Sequence, residues 1–158
     1  MRKVIVGEFL SLDGVMRAPD EWHFSYWGDE MGAAIGTQFF ASDALLLGRV
    51  TYQGFAAAWP SRTTDDDEFA DRINSMPKFV VSTTLETPLE WNNSRSMKGN
   101  VAEEITKLKQ QPGADILING SATLVQSLLP DDLLDEIRLL VHPVVVGSGK
   151  RLFEDGAT

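Results

Sequence analysis

Leu46-Leu47-Gly48-Arg49-Val50-Thr51-Tyr52 is the stretch on which the fold turns. The apolar run Ala44 to Leu47 has the length and character of a buried strand, and it breaks at Gly48. Gly48 to Tyr52 has the look of a strand-to-helix turn. In an open α/β sheet, ligands bind beyond the carboxyl ends of the strands. Helix N-termini there present unpaired N–H groups suited to phosphate. Gly48 would let a phosphate approach the backbone, Arg49 would add a fixed positive charge, and the Thr51 hydroxyl would donate a hydrogen bond.

Working outward, two more strand ends read the same way. Ile118-Asn119-Gly120-Ser121-Ala122-Thr123 pairs a glycine with two hydroxyls, and Val80-Val81-Ser82-Thr83-Thr84 ends an apolar run in hydroxyls. Alone, each is weak, because a glycine after a strand is commonly a plain turn. The rest of the chain supplies matching elements. Val4 to Leu10 is a β-branched run ending at the turn signal Asp13-Gly14, hence a buried strand. Asp29 to Phe40 carries Met31, Ala34, Ile35 and Phe39 at helical spacing. Thr64 or Asp65 is expected to cap a helix running to about Ser75, with Asp65 to Glu68 favourably placed at its positive end. Lys78 to Ser82 is a third strand, Val101 to Gln110 a helix stopped by Pro112-Gly113, Ile116 to Ile118 a fourth strand, and Ala122 to Leu129 a helix. Ile137 to Val146 reads as one long, nearly all-apolar strand covered on both faces. Strands alternating with helices predict an α/β fold with a largely parallel sheet.

Composition excludes several function classes. The 158 residues fit a single domain spanning 1–158. A formal net charge of −9 argues against nucleic acid as partner and requires any dinucleotide site to be locally positive. The chain has no cysteine, which removes disulfides, thiolate catalysis and cysteine metal sites. Its two histidines cannot form a multi-histidine metal centre, and the acidic run Asp65 to Glu68 lacks the rhythm of a calcium loop, so no metal is expected. No stretch approaches the roughly 20 apolar residues of a membrane span. The start is too short for a signal peptide, so a cytoplasmic location is expected.

The junctions, in their order, resemble the dihydrofolate-reductase-like superfamily. Leu47-Gly48-Arg49-Val50-Thr51-Tyr52 resembles its Met-Gly-Arg-x-Thr-Trp segment, and Ile118-Asn119-Gly120-Ser121 its strand ending in Gly-Gly. Val81-Ser82-Thr83 is similar to its strand ending at the adenosine ribose, and Leu12-Asp13-Gly14-Val15-Met16 to the start of its mobile loop. Gly120 to Val125 and His142 to Phe153 resemble the stand-alone relatives of the riboflavin-biosynthesis reductase domain more than the folate enzymes. The resemblance implies a dihydrofolate-reductase-like fold and an NADPH-dependent reductase acting on a small pterin-like or riboflavin-precursor-like heterocycle. It implies that Gly48, Arg49 and Thr51 contact the phosphates, that Ser82 and Thr83 face the adenosine ribose, and that Gly120, Ser121, Ala122 and Thr123 hold the pyrophosphate. Asn119 replaces the first glycine of the pair, and no second cation sits beside Ser82. Pro77 stands where folate reductases place a carboxylate-gripping arginine, which disfavours a true dihydrofolate reductase. The family's buried acid maps onto Asp29 only after a two-residue insertion, leaving a helix cap as the plainer reading. Asp13, Trp22, Phe24 and Trp27 are candidates for the substrate side, with Asp13 to Trp22 as a lid.

Other readings stay open. The aromatic cluster Trp22, Phe24, Tyr26 and Trp27 could stack on a flat heterocycle, or form core or a dimer contact. His142, before Pro143, is read as structural. Gly147-Ser148-Gly149-Lys150 lacks the spacing of a phosphate loop. A rival of another class is a dinucleotide-binding module without turnover. The architecture normally closes with an antiparallel strand, for which little sequence remains after Leu152-Phe153. An incomplete C-terminus and a homodimer are therefore expected.

Overall fold

The computed structural model describes residues 1–85 and 87–158. Along the chain come β1 (Val4–Ser11), two single 3₁₀ turns (Pro19–Glu21 and Phe24–Tyr26), α1 (Asp29–Ala41), β2 (Ser42–Gly48) and α2 (Arg49–Ala58). Next are α3 (Ala70–Ser75), β3 (Lys78–Val81), β4 (Ser94–Met97), α4 (Val101–Gln110), β5 (Asp115–Asn119), α5 (Ala122–Leu128) and β6 (Glu136–His142). The described strands form one sheet, ordered β4-β3-β2-β5-β1-β6, in which every neighbouring pair is parallel. This is the α/β architecture with a parallel sheet that the alternation of strands and helices predicts.

Parallel strands need both faces covered, and the period-2 alternation of β1 shows how this is met. Val4, Val6 and Leu10 point to one face, where Ile105 and Leu108 of α4 and Leu124, Val125 and Leu128 of α5 pack. Ile5 lies on the other face with Ile35 and Phe39 of α1, Tyr52 of α2 and Ile73 of α3. Each such side chain, fully buried, stabilises the fold by about 1.5–3 kcal/mol. The parallel register brings Gly7 beside Asn119 and Gly48 beside Val81, so the three candidate junctions meet at one carboxyl edge.

Four sequence expectations are corrected. The helix ending at Ser75 starts at Ala70, not near Thr64 or Asp65. The Asp66 carboxylate instead accepts the Thr63 N–H at 3.0 Å and Asp67 accepts the Phe69 N–H at 2.9 Å, closing local turns. Ser94–Met97 is an unforeseen edge strand, since Ser-Arg-Ser-Met has no apolar alternation and pairs with β3 through its backbone. β6 stops at His142, because Pro143 offers no N–H and the Val144 N–H turns back to the His142 carbonyl at 2.8 Å. Nor is β6 covered on both faces: it lies at the sheet edge, with Val141 55% exposed.

Candidate functional site

At the carboxyl edge, the β2–α2 and β5–α5 junctions are clipped together by reciprocal bonds. The Gly48 N–H donates to Ser121 Oγ at 2.9 Å, and the Ser121 N–H donates to Thr51 Oγ1 at 3.0 Å. The chain turns there through consecutive left-handed residues, Gly120 at φ +69° and Ser121 at φ +61°. Gly120 is required by that backbone. A Cβ on it would also stand 3.0 Å from the Thr51 side chain. Gly48 is extended, and its small size serves a different end: a Cβ there would begin to fill the gap to Ser121 Oγ, 3.4 Å away.

The clip leaves the first-turn N–H groups of the ten-residue α2 without intrahelical partners, opening onto this edge. Arg49, at the head of α2, is exposed and joins no ion pair among the described residues. Its nearest polar contact is Gln53 Oε1 at 3.4 Å. Lys150 reaches over from the segment after β6 to the hydroxyl of Thr123 in the first turn of α5. It is a second cation at this edge, to which sequence reading gave no role: Lys150 stood inside a poor phosphate-loop match and within the His142 to Phe153 resemblance. Ala122 is buried and Thr123 exposed beside it. On the next strand, Ser82 is buried, and its Oγ accepts the Thr84 and Leu85 N–H groups at 3.2 Å each, turning the chain so that Thr83 is exposed.

Asp13 has a different setting from the one expected of a substrate ligand. Its carboxylate accepts the Ser11 hydroxyl at 2.6 Å and the Val146 and Gly147 N–H groups at 3.1 and 2.8 Å. These bonds, the Ser11 hydroxyl first, hold its pKa down to about 2. Leu12 N–H to the Val144 carbonyl, Met16 N–H to the Lys150 carbonyl and a Val15–Arg151 bridge complete the attachment. The expected lid is thus tied down over its first four residues, and Trp22 at its far end packs against His142.

The aromatic cluster surrounds both histidines. His23 stacks on Phe9 with ring centroids 4.6 Å apart, Phe24 lies 4.0 Å from His23, and Trp22 meets His142 edge-on at 5.1 Å. His142 Nδ1 lies 2.8 Å from the Leu140 carbonyl, while His142 Nε2 and His23 Nδ1 are buried without partners. Burial, then His142, holds the His23 imidazole below its ordinary pKa. Phe24 and Trp27 are 65% and 47% exposed, forming an apolar wall beside the end of β1. Asp29 is exposed in the first turn of α1, where a carboxylate suits the helix dipole. The buried acid of the described residues is Glu8, which sequence reading passed over inside an apolar strand. It is 4% exposed and accepts the Gly120 N–H at 2.9 Å.

Two open concavities of about 660 and 650 Å³ lie elsewhere, the first at the amino ends of β3 and β4 and the second between α2, α3 and residues 90–92. Their one buried cation, Lys78, donates to the Asn74, Met76 and Asn92 carbonyls at 2.8–3.0 Å and stacks over Trp91. Burial draws its pKa down to about 8, so it stays charged at neutral pH and ties α3 to the strand after it. Nothing there converges on a reacting group.

Residues 2–158 match the family described as the RibD C-terminal domain. YyaP of Bacillus subtilis (strain 168), which has no assigned function, is 32% identical over 98% of this chain and 81% of its own length. A crystal structure from Shewanella sp. PV-4, provisionally assigned to riboflavin biosynthesis, superposes with a TM-score of 0.74 at 25% identity, over 97% of this chain and 84% of that one. Two further structures share the fold at 15% identity. One is the diaminohydroxyphosphoribosylaminopyrimidine deaminase/5-amino-6-(5-phosphoribosylamino)uracil reductase of Thermotoga maritima (TM-score 0.65, 99% of this chain and 50% of that one). The other is the dihydrofolate reductase of Enterococcus faecalis complexed with NADP(H) (TM-score 0.61, 97% and 77%).

Proposed function

Since the chain belongs to the RibD C-terminal domain family, a family with a reductase-type fold, we propose that it is an NADPH-dependent reductase of a small pterin-like or riboflavin-precursor-like heterocycle. The observation that carries this reading is the clip between the β2–α2 and β5–α5 junctions, Gly48 to Ser121 and Ser121 to Thr51. It fixes a backbone turn beside Arg49 and Lys150 on a chain of net charge −9. An anionic dinucleotide needs such a locally positive edge.

The cofactor, when bound, supplies a hydride. The protein's part is binding, orientation and exclusion of water. Arg49 offers a guanidinium fork, and the α2 first-turn N–H groups offer donors to the phosphates. Lys150 adds a point charge, and Thr83 faces the adenosine side. Gly48 and Gly120 let the Ser121 and Thr51 side chains close against the backbone, which forms the clip. Phe24 and Trp27 offer flat apolar faces to a heterocyclic ring, and Asp29, exposed in the first turn of α1, is a candidate proton source.

Calorimetry with NADPH tests the cofactor site. Arg49→Ala is expected to weaken binding by about 1–3 kcal/mol through loss of a charge-assisted hydrogen bond. Unchanged affinity would remove the cation from the site. NADPH oxidation against a panel of pterins, flavin precursors and quinones then tests turnover. Binding with no oxidation across the panel would leave a dinucleotide-binding module.

A further inference from the structure

Glu8 is a carboxyl group in the core of a sheet, and the proposed function gives it no task. It sits on β1 on the face that carries Val4, Val6 and Leu10 toward α4 and α5. Its Oε2 accepts the Gly120 N–H at 2.9 Å, while Oε1 is fully buried and has no partner.

Its surroundings hold no compensating charge. On β6 the residue beside it is Leu139; Arg138 and His142 pair with Gly7 and Ser11 and so occupy the opposite face of the sheet. On the β5–α5 side, Gly120, Ser121, Ala122 and Thr123 carry no ionisable group. Of the charged groups on the loops over this end, Asp13 is engaged by the Val146 and Gly147 amides, Lys150 by Thr123, and Arg151 by the Asp13 carbonyl. Burial therefore raises the Glu8 pKa well above the ordinary carboxylate range, with the Gly120 N–H pulling the other way.

We propose that Glu8 is a positioning residue for the dinucleotide, a neutral carboxyl that holds the Gly120–Ser121 turn from beneath, so that binding of the anionic phosphates at that turn requires Glu8 to carry a proton. This rests on the dinucleotide reading of the site. The protonated acid keeps Oε2 as acceptor for Gly120 and places a hydroxyl on the unpartnered Oε1. The ionised form would set a negative charge in a medium of low dielectric under a second anion, and the repulsion would be felt with little screening. Linkage then requires that proton uptake accompany binding wherever free Glu8 is ionised.

The test is calorimetry of NADPH binding from about pH 7 to about pH 9.5, above the phosphate titration near pH 6, in buffers of contrasting ionisation enthalpy. Above the raised pKa of free Glu8 the wild-type affinity is expected to fall with pH toward about tenfold per unit, with uptake approaching one proton per NADPH. Glu8→Gln keeps the Gly120 bond with no titrating group and is expected to bind as the wild type does near pH 7, with no slope. Equal slopes in both proteins, or wild-type binding without proton uptake, would overturn the inference and leave the dinucleotide reading standing. Absence of NADPH binding by the wild type at every pH would overturn both. Should Glu8→Gln fail to fold, the wild-type proton count decides alone.

Discussion

Gly120 concentrates three demands on one residue. Its φ of +69° excludes most side chains, a Cβ would press on Thr51, and its N–H is the one held by Glu8. Gly120→Ala is expected to cost about 1–3 kcal/mol of folding stability through left-handed strain, measured by urea denaturation, and to weaken NADPH binding as well. An unchanged midpoint would mean the turn has an alternative geometry. Ser121 adopts the same left-handed region without being glycine, and its hydroxyl bond to Gly48 is the compensation. At this scale the sequence was partly legible. Gly48, Ser121 and Thr51 were visible as a glycine and hydroxyls after strands. Their mutual bonds span about seventy positions and have no local signature. Glu8 stayed hidden because a single carboxylate inside Val-Ile-Val-Gly-Glu-Phe-Leu leaves the apolar pattern of β1 intact.

Among the elements, strands and helices with strong periodicity stand where the sequence puts them. α1 and α4 both start at the positions read from their spacing. Elements defined by backbone partners were not legible, as β4 shows, and β6 was read too long because Val144 to Val146 continue its apolar run past Pro143. That segment is held instead by Asp13. The depressed pKa of Asp13 means its contribution to stability is fully present above the unfolded value near 4 and is lost as pH falls through about 2. Asp13→Ala should remove hydrogen-exchange protection from the Val146 and Gly147 amides while leaving that of β5 intact. Retained protection at those two amides would show that the loop is held by other bonds.

At the scale of the molecule, the sheet has two edges, the polar β4 and the apolar β6. The outer edge of β6 has no strand partner among the described residues, and Leu139 and Val141 are 36% and 55% exposed there. An unpaired apolar edge is a template for another strand, and a two-fold arrangement of two such edges is self-complementary. We therefore expect a homodimer through β6. Light scattering should give about twice the chain mass of 17.4 kDa, and Val141→Lys should shift the population toward the monomer. A wild-type mass near one chain at micromolar concentration would refute the pairing.

The place of β1 in the sheet also bears on how the chain reaches its fold. β1, made before the other described strands, lies between β5 and β6, with Val4 paired to Ile116 and Ile5 to Glu136. Its neighbours are the last two of the described strands to be made. Such pairings carry a high contact order, and loop closure over more than a hundred residues must precede their reward. During synthesis, Val4 to Leu10 is an apolar strand with no native partner until β5 and β6 emerge, a state in which unpaired strand edges are exposed.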